Sequence, residues 1–321
     1  MMAIPFLLAA TGPVVVKVQI KEWEVPIPNS RPHDPAVAPD GSLWYTGQQS
    51  NTLGRLDPKT GEIKVYRLKT PDSGPHGLVA DKAGNIWFTA NYKGYIGKLD
   101  PKTGEVIEYP MPDPEARDPH SLAFDQKGKL WFTVQRGNFV GRLDPRSGDI
   151  TLKSSPTPQS MPYGIVVNSR GIPFFCEFGT NKLGMINPDT MEITERLLPK
   201  DARPRRIAIG SDAMVYYTDF SRGYLGRLDP NAGRIEEWAS PGGTESRPYG
   251  IAITPDGTVW YSESGVNPNT IVRFDPGSKV FERWPIPSDG GVVRNMASTP
   301  EGNLYIACSG VNRVGIVYVA R

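Results

Sequence analysis

Residues 74–112 read GPHGLVADKAGNIWFTANYKGYIGKLDPKTGEVIEYPMP, and seven related copies of this stretch run along the 321-residue chain. Equivalent positions in consecutive copies lie 42 to 45 residues apart. Repeats of this length, each with several short strands, are typical of β-propeller blades. Because one copy cannot bury its own apolar faces, the seven copies are predicted to stack around a common axis.

Each copy is predicted to form four short strands. In the quoted copy these are Gly77 to Ala80, Ile86 to Thr89, Tyr95 to Leu99 and Glu105 to Tyr109. The second is aromatic and β-branched, which favours strands, and the DPKTG segment before the fourth has the Pro and Gly of a tight turn. No helical pattern of useful length is present, so the sequence predicts an all-β, seven-bladed propeller of four-stranded antiparallel blades.

The two ends of the repeat array complement each other. The last copy provides three strands, while residues 20–26 (IKEWEVP) match the fourth-strand text ERWP at residues 282–285. The N-terminal strand is therefore predicted to complete the last blade, which protects an otherwise open edge. Residues 20–321 form one propeller domain in this interpretation, and residues 1–19 a flexible leader or the remnant of an export signal. The apolar run at residues 3–10 leaves both a cytoplasmic and an exported location open.

Charge and hydropathy argue against nucleic acid and membrane insertion. Lys and Arg total 36 against 34 Asp and Glu, a formal net charge of +2. Nothing indicates the basic face that nucleic acid requires, nor a run of about 20 apolar residues that a membrane span requires. We expect a monomer that takes a small-molecule ligand.

The residue before each innermost strand is a candidate for chemistry. In a propeller this residue lies near the end of the second strand, at one mouth of the central channel. All three histidines of the chain occupy it in consecutive copies, which favours general acid–base catalysis or metal binding. Duplication of a repeat that contained His is the alternative. Around the ring the position is filled by His33, His76, His120, Tyr163, Arg205, Tyr249 and Arg294.

Three acids end the second strands on the other side of the ring, namely Glu177, Asp219 and Glu263. Two interpretations are open. The acids could pair with Arg205, Arg206 and Arg294 and only neutralise the channel, or they could hold a divalent metal ion for a lactonase-type hydrolase. The chain has no HExxH spacing, no Cys ligand pairs and no calcium-loop motif.

The blade text resembles the streptogramin B lyase (virginiamycin B lyase) family. The shared features are PHG before the first strand, WFT in the second, an IGRLDPxTG-like third strand and turn, and an EYPxP-like fourth strand. The resemblance covers about residues 20 to 321. It implies a propeller that inactivates a cyclic depsipeptide antibiotic by opening its lactone through elimination. A histidine base and a Mg²⁺ ion near the mouth belong to that implied mechanism.

The resemblance also implies site residues. His76 in GPHG matches one family histidine, and Asp118-Pro119-His120 matches an acid-x-His element with Asp in place of Glu. Gln135 stands near a position where the family has an acid, which weakens the implied magnesium site because Mg²⁺ prefers carboxylate oxygen. The two histidine elements, at His76 and His120, lie in blades two and three here, whereas in the family the matching elements lie towards the C-terminal end.

The leading hypothesis is a lyase-like enzyme that acts on a lactone or ester. His120 is the predicted base, oriented by Asp118, with His76 as a second acid–base group. Gln135 is predicted to orient the base, Arg205 and Arg294 to hold a carboxylate, and His33, Tyr163 and Tyr249 to line the ligand site. His33 is expected to contribute less to turnover, because it is taken to lack the neighbouring acid that His120 has in Asp118. The alternatives are a non-catalytic ligand-binding propeller and the metal-dependent hydrolase.

Overall fold

The computed structural model describes residues 16–320, and their strands form seven four-stranded antiparallel sheets. The predicted fold class is confirmed. The innermost strand of each sheet contacts the innermost strands of the two neighbouring sheets, so the seven blades close into a ring. Residues 16–320 contain no helix with the length and apolar character that crossing a bilayer requires.

The strands are numbered in chain order. The innermost strands are β2 (Pro32–Val37), β6 (Pro75–Ala80), β10 (Pro119–Phe124), β14 (Pro162–Val167), β18 (Pro204–Ile209), β22 (Pro248–Ile253) and β26 (Val293–Ser298). The second strands are β3 (Leu43–Gly47), β7 (Ile86–Ala90), β11 (Leu130–Val134), β15 (Pro173–Glu177), β19 (Val215–Asp219), β23 (Val259–Glu263) and β27 (Leu304–Cys308). The third strands are β4 (Thr52–Leu56), β8 (Tyr95–Leu99), β12 (Phe139–Leu143), β16 (Lys182–Ile186), β20 (Tyr224–Leu228), β24 (Thr270–Phe274) and β28 (Arg313–Ala320).

The outermost strands are β5 (Ile63–Arg67), β9 (Val106–Pro110), β13 (Ile150–Ser154), β17 (Ile193–Leu197), β21 (Ile235–Ala239), β25 (Phe281–Pro285) and β1 (Lys17–Glu24). Within residues 16–320, two short 3-10 helices occur, at Thr244–Ser246 and Ser309–Val311. Blades are numbered 1 to 7 from the blade that begins with β2.

Burial is greatest in the second strand of each blade. All five residues of every second strand are buried, whereas the outermost strands alternate between half-buried and exposed positions. The glycine of the IG motif in the third strand is explained by this packing. A Cβ atom at Gly97 would overlap the ring of Phe88, and the same conflict exists between Gly141 and Phe132. The glycine therefore leaves room for the phenylalanine ring of the second strand to pack over the backbone of the third strand.

The predicted closure of the ring is confirmed. β1 pairs antiparallel with β28 from Lys17↔Ala320 to Glu24↔Arg313, in the sheet order β1-β28-β27-β26. The strand begins at Lys17, three residues before the predicted domain boundary at residue 20. The predicted leader or export signal falls mostly in residues 1–15, which lie outside the described residues.

Candidate functional site

The site lies at the upper mouth, defined here as the end of the channel where the innermost strands begin and the second strands end. Each innermost strand has one extra residue there: Pro75 pairs with Ala90, but Leu78 pairs with Phe88. The same register shift occurs in all seven blades. A bulge of this kind redirects side chains and is common beside functional sites. Here it lets two consecutive residues of each blade face the channel.

The threonine of the WFT motif holds this bulge in place. The Thr89 hydroxyl accepts a hydrogen bond from the Gly77 N–H at 2.8 Å and donates one to the carbonyl oxygen of His120 in the next blade at 2.8 Å. Thr46, Thr133 and Thr218 make equivalent bonds. The motif thus fixes the strand start of two blades at once.

The three histidines come together in one row. The ring centroids of His33 and His76 are 3.8 Å apart, those of His76 and His120 are 3.9 Å apart, and Tyr163 continues the row at 3.8 Å from His120. The Tyr163 hydroxyl lies 2.5 Å from that of Tyr249 across the mouth. The histidines are only 2 to 4% exposed, so a ligand at the mouth reaches little more than a ring edge.

Arg205 provides the opposite side of the mouth. Its guanidinium carbon lies 3.8 Å from the ring centroid of Tyr249, 4.2 Å from that of Phe220 and 4.7 Å from that of Phe178. Such cation–π contacts hold a guanidinium without neutralising it. The Nε atoms of Arg205 and Arg294 are buried and have no hydrogen-bond partner. Each guanidinium group therefore keeps a donor that no protein group uses.

The ring nitrogens of the histidines have different partners. His33 Nδ1 lies 2.9 Å from the Asp34 carboxylate, and His120 Nδ1 lies 3.0 Å from the Ser121 hydroxyl. His76 is followed by glycine, and its Nδ1 is buried without a partner. Because a carboxylate only accepts, Nδ1 of neutral His33 carries the proton and Nε2 keeps its lone pair. His33 is thus the histidine whose tautomer is fixed by an acid.

Arg206 closes the channel below the row. Its guanidinium bonds to Asp34 at 2.7 Å, to the Ser121 hydroxyl at 2.9 Å and to the carbonyl oxygen of Arg294 at 3.1 Å. Asn295 donates to the other carboxylate oxygen of Asp34 at 3.1 Å. These bonds link blades 1, 3, 5 and 7 across the axis. A cavity of about 410 Å³ lies in the channel on the far side of Arg206.

The electrostatics of the row keep the imidazoles neutral. Burial lowers the pKa of His33, His76 and His120 well below 6.5, and the positive charge of Arg206 lowers each pKa further. Arg294 adds to the effect on His33 and His76. Neutral imidazole is the form that accepts a proton or binds a cation. The row is in this form at neutral pH.

The pKa values of the two tyrosines at the mouth, Tyr163 and Tyr249, are shifted in opposite directions. Burial raises the pKa of Tyr163 well above 10, and the neighbouring Tyr249 raises it further. Burial would also raise the pKa of Tyr249, but Arg205, Arg206 and Arg294 together lower it below 10. Either hydroxyl group can donate the hydrogen bond between them, and the three guanidinium groups favour negative charge on Tyr249 rather than on Tyr163.

The expected contact between Asp118 and His120 is absent. β10 begins at Pro119, so Asp118 belongs to the preceding loop, where its carboxylate accepts the backbone N–H groups of Arg136 at 2.7 Å and Gly137 at 3.1 Å. Asp118 supports the loop after β11 and does not orient the histidine. Gln135 lies half-buried in that same loop, and its backbone N–H donates to the Asp118 carbonyl oxygen at 3.4 Å.

The acids that end the second strands do not meet, and neither interpretation made from the sequence is correct. Successive residues of a strand face opposite sides of the sheet. The residue before the acid, which is threonine in most blades, faces the next blade. The acid therefore faces the other way, towards the segment that joins the previous blade to its own innermost strand. The main partners are Ser155 and Thr180 for Glu177, Arg222 for Asp219, and Ser240 and Thr270 for Glu263. Burial, and then the neighbouring Glu195, raises the pKa of Glu177 to about 7.

The residues of the mouth do not fit magnesium. Within residues 16–320, one group of three or more His, Cys, Asp or Glu side chains has its donor atoms within 4.8 Å of one another, and it consists of His33, Asp34 and His76. Mg²⁺ takes mainly oxygen ligands in octahedral geometry. Here the single carboxylate already bonds to His33, Arg206 and Asn295, and the Arg206 cation lies beside it.

Two cavities adjoin the mouth. One, of about 270 Å³, lies between blades 7 and 1 and includes Arg31 and Arg294 in its lining. The other, of about 490 Å³, lies beside Arg205 and is lined by Phe178, Phe220 and other residues of blades 4 to 6. Because Arg203, Glu245 and Arg247 also line the second cavity, a ligand that covers the row can make polar contacts on both sides.

Sequence reasoning missed Asp34, Ser121 and Asn295, which occupy the second position of the bulge, and it named Arg206, at the same position, only as a possible partner of the acids on the second strands. In a regular strand, residues at this second position would face the side of the sheet opposite to the residues at the first position, such as His33 and His120. A signal was nevertheless present, since polar or glycine residues interrupt otherwise apolar strands at this position in every copy.

The fold and the site can be compared with known proteins. A solved streptogramin B lyase is 27% identical, with a TM-score of 0.86 over 94% of this chain and 98% of that one. The virginiamycin B lyase of Staphylococcus aureus is 25% identical, with a TM-score of 0.84 over 95% and 100%. Hydrazine synthase of Kuenenia stuttgartiensis, at 14% identity and a TM-score of 0.75, shares the fold alone. Curated proteins give no match. A sequence profile of the virginiamycin B lyase family matches residues 9–177 and 156–320, and the chain belongs to this family.

Proposed function

We propose that the protein is a carbon–oxygen lyase that opens a lactone or ester at the upper mouth by base-promoted elimination. The observation that carries this proposal is the row of three neutral imidazoles, one with its tautomer fixed by a carboxylate, facing a set of unneutralised guanidinium groups. Membership of the virginiamycin B lyase family supports the same reaction class. A cyclic depsipeptide antibiotic of the streptogramin B type is the first substrate to test.

His33, rather than His120, is the proposed base. The Asp34 carboxylate holds the Nδ1 proton and leaves the Nε2 lone pair free, which is the arrangement a general base needs. His120 has a hydroxyl partner instead, and a hydroxyl can donate or accept, so its tautomer is not fixed. His76 and His120 complete the surface against which the substrate lies.

The proposed reaction uses protein groups alone. Nε2 of His33 takes the proton from the carbon α to a carbonyl group. The electron pair of that C–H bond forms a carbon–carbon double bond, the bond from the β carbon to the ester oxygen breaks, and the carboxylate leaves. Arg205 and Arg294 act as charged anchors that hold the ester oxygens beside the base, in the ground state and in the transition state alike, since hydrogen bonds to charged groups are among the strong ones.

Product analysis tests the proposal. Purified protein would be incubated with a streptogramin B and a panel of lactones, with and without added Mg²⁺, and products identified by mass spectrometry. Elimination gives an unsaturated product of unchanged mass, whereas hydrolysis adds one water. Lys93→Ala, on an exposed loop of the same mouth, is the control variant and should retain turnover. A hydrated product, or turnover that requires Mg²⁺, would contradict the proposed chemistry.

A non-catalytic ligand-binding propeller is the second candidate. The observation that favours it is the burial of the histidines, which leaves little of each ring in reach of a ligand. Tight binding of a ring-closed ester with no product after prolonged incubation would support this second function.

A further inference from the structure

The cavity between blades 7 and 1 has the lining of an anion site. Its polar side chains include those of Arg31, Arg294, Asn29 and Gln49, and no Asp or Glu lines it. Asn312, also in the lining, is already committed to bonds with the Val25 and Ile27 carbonyl oxygens and the Ser30 N–H. The side chains that remain available to a ligand are thus mainly donors.

The two arginines of this cavity have no acidic partner. Within the described part of the chain, Arg31 and Arg294 take part in no ion pair, and Arg294 Nε is buried with no hydrogen bond. Arg206 and Arg222, by contrast, each bond directly to a carboxylate. Partly buried guanidinium groups without a counter-charge are unfavourable, so the cavity is arranged to receive a negative charge.

The pKa of His33 shows the effect of this positive charge. Burial lowers the pKa of His33, and four guanidinium groups lower it further, those of Arg294, Arg206, Arg31 and Arg205. Asp34 is the one carboxylate in contact with that ring. The cavity lies near the proposed base, since its lining residue Ser309 donates a hydrogen bond to the carbonyl oxygen of Pro32, the residue before His33. Two of the four guanidinium groups that act on His33, those of Arg31 and Arg294, line the cavity.

We propose that the cavity binds a carboxylate or phosphate group of the substrate, so that the natural substrate is an anionic ester or lactone. The inference rests on the proposed function in taking the upper mouth as the substrate site. A volume of about 270 Å³ holds such a group with a few further atoms but not a whole macrocycle. Two guanidinium groups can each bond an oxyanion through paired N–H donors, which gives both affinity and orientation.

Binding can be measured without turnover. Citrate and inorganic phosphate would be titrated into the full-length protein by calorimetry, at constant ionic strength set with chloride. We expect saturable binding of at least one of them, and a loss of about tenfold or more in the Arg31→Gln/Arg294→Gln double variant, since hydrogen bonds to charged groups are among the strong ones. Arg67→Gln, an exposed arginine of β5, is the matched control and should bind as the wild type does.

The outcomes separate the possibilities. Binding of citrate alone indicates a carboxylate substrate, and binding of phosphate alone a phosphate ester. No saturable binding by the wild type, or equal binding by the double variant, would overturn the proposal. Thermal unfolding without anions is the folding control: the double variant should be at least as stable as the wild type, because it removes mutually repelling charges, and only then does lost binding count as loss of the site. If anions bind but no ester is turned over, the cavity is an anion site, but the proposed function and the anionic ester substrate both fail.

Discussion

The histidine half of the upper mouth, on blades 1 to 3, and the arginine half, on blades 5 to 7, use the same position of the same bulge for opposite purposes. In the histidine half the rings lie 3.8 to 3.9 Å apart and are kept neutral by burial. In the arginine half the guanidinium of Arg205 remains charged among aromatic rings. The difference shows that one repeated backbone feature can place a neutral imidazole in one half of the mouth and a charged guanidinium in the other, because the bulge fixes the position while the side chain decides the chemistry.

The largest expected difference between the halves is the pH dependence of stability. The histidine pKa values lie well below 6.5 in the folded state and near 6.5 in the unfolded state. Unfolding therefore takes up protons below pH 6.5, and stability that is complete above this pH is lost as the pH falls. Each histidine contributes about 1.4 kcal/mol per pH unit. Glu177, with a pKa of about 7, works in the opposite direction over the same range.

Denaturant unfolding at pH 7.5, 6.0 and 5.0 measures this effect. His76→Gln should reduce the loss of stability between pH 6 and 5, because it removes one of the titrating groups. Arg205→Gln should leave the slope unchanged, because arginine does not titrate there. Equal slopes in wild type and His76→Gln would show that the row is not held neutral.

The next largest effect concerns turnover. His33→Ala should lower kcat by about a hundredfold or more, which is typical of the loss of a general base. Asp34→Asn should lower it in the same direction, because an amide no longer selects one tautomer. Steady-state kinetics on whichever ester is turned over would measure both. If His120→Ala is as damaging as His33→Ala while Asp34→Asn is harmless, the base is His120.

The arginine half should act on substrate affinity instead. Arg205→Ala is expected to raise KM by about tenfold with little change in kcat, since it removes a charged anchor that binds ground state and transition state alike. The same kinetic series gives both constants. A fall in kcat at unchanged KM would move Arg205 to the reacting centre and weaken the division between the halves.

The smallest effect tests the bulge itself. Thr89→Val and Thr218→Val each remove a hydroxyl that bonds two blades, in the histidine half and the arginine half respectively. Each should cost about 1 kcal/mol or somewhat more in unfolding free energy, because a buried N–H is left unpaired. Chemical unfolding should give similar costs, whereas kinetics should differ: Thr89→Val lowers kcat and Thr218→Val raises KM. Identical kinetic effects would argue against two functional halves.

The sequence predicted the ring because its signal is repeated in seven copies, each of which confirms the others. It predicted the convergence of His33, His76 and His120 for the same reason. It failed where the backbone departs from regular pairing. Asp34 was missed, and Arg206 was assigned to the wrong acids, because the bulge places two consecutive residues in the channel. Asp118 was misassigned because nothing in the sequence shows that its carboxylate supports the loop at Arg136 and Gly137.

The closure of the ring also constrains how the chain can be made. Ser30 and Asn312 are hydrogen-bonded although they lie 282 residues apart, and β1 has no partner until β28 exists. During synthesis the earliest strand must stay unpaired while six blades form, and an unpaired edge is prone to wrong associations. The final joining of the two ends is a long-range step of the kind that slows folding. A chain whose synthesis stops before β28 is therefore left with an open seventh blade. A closed ring forms only in chains that have been translated through this strand.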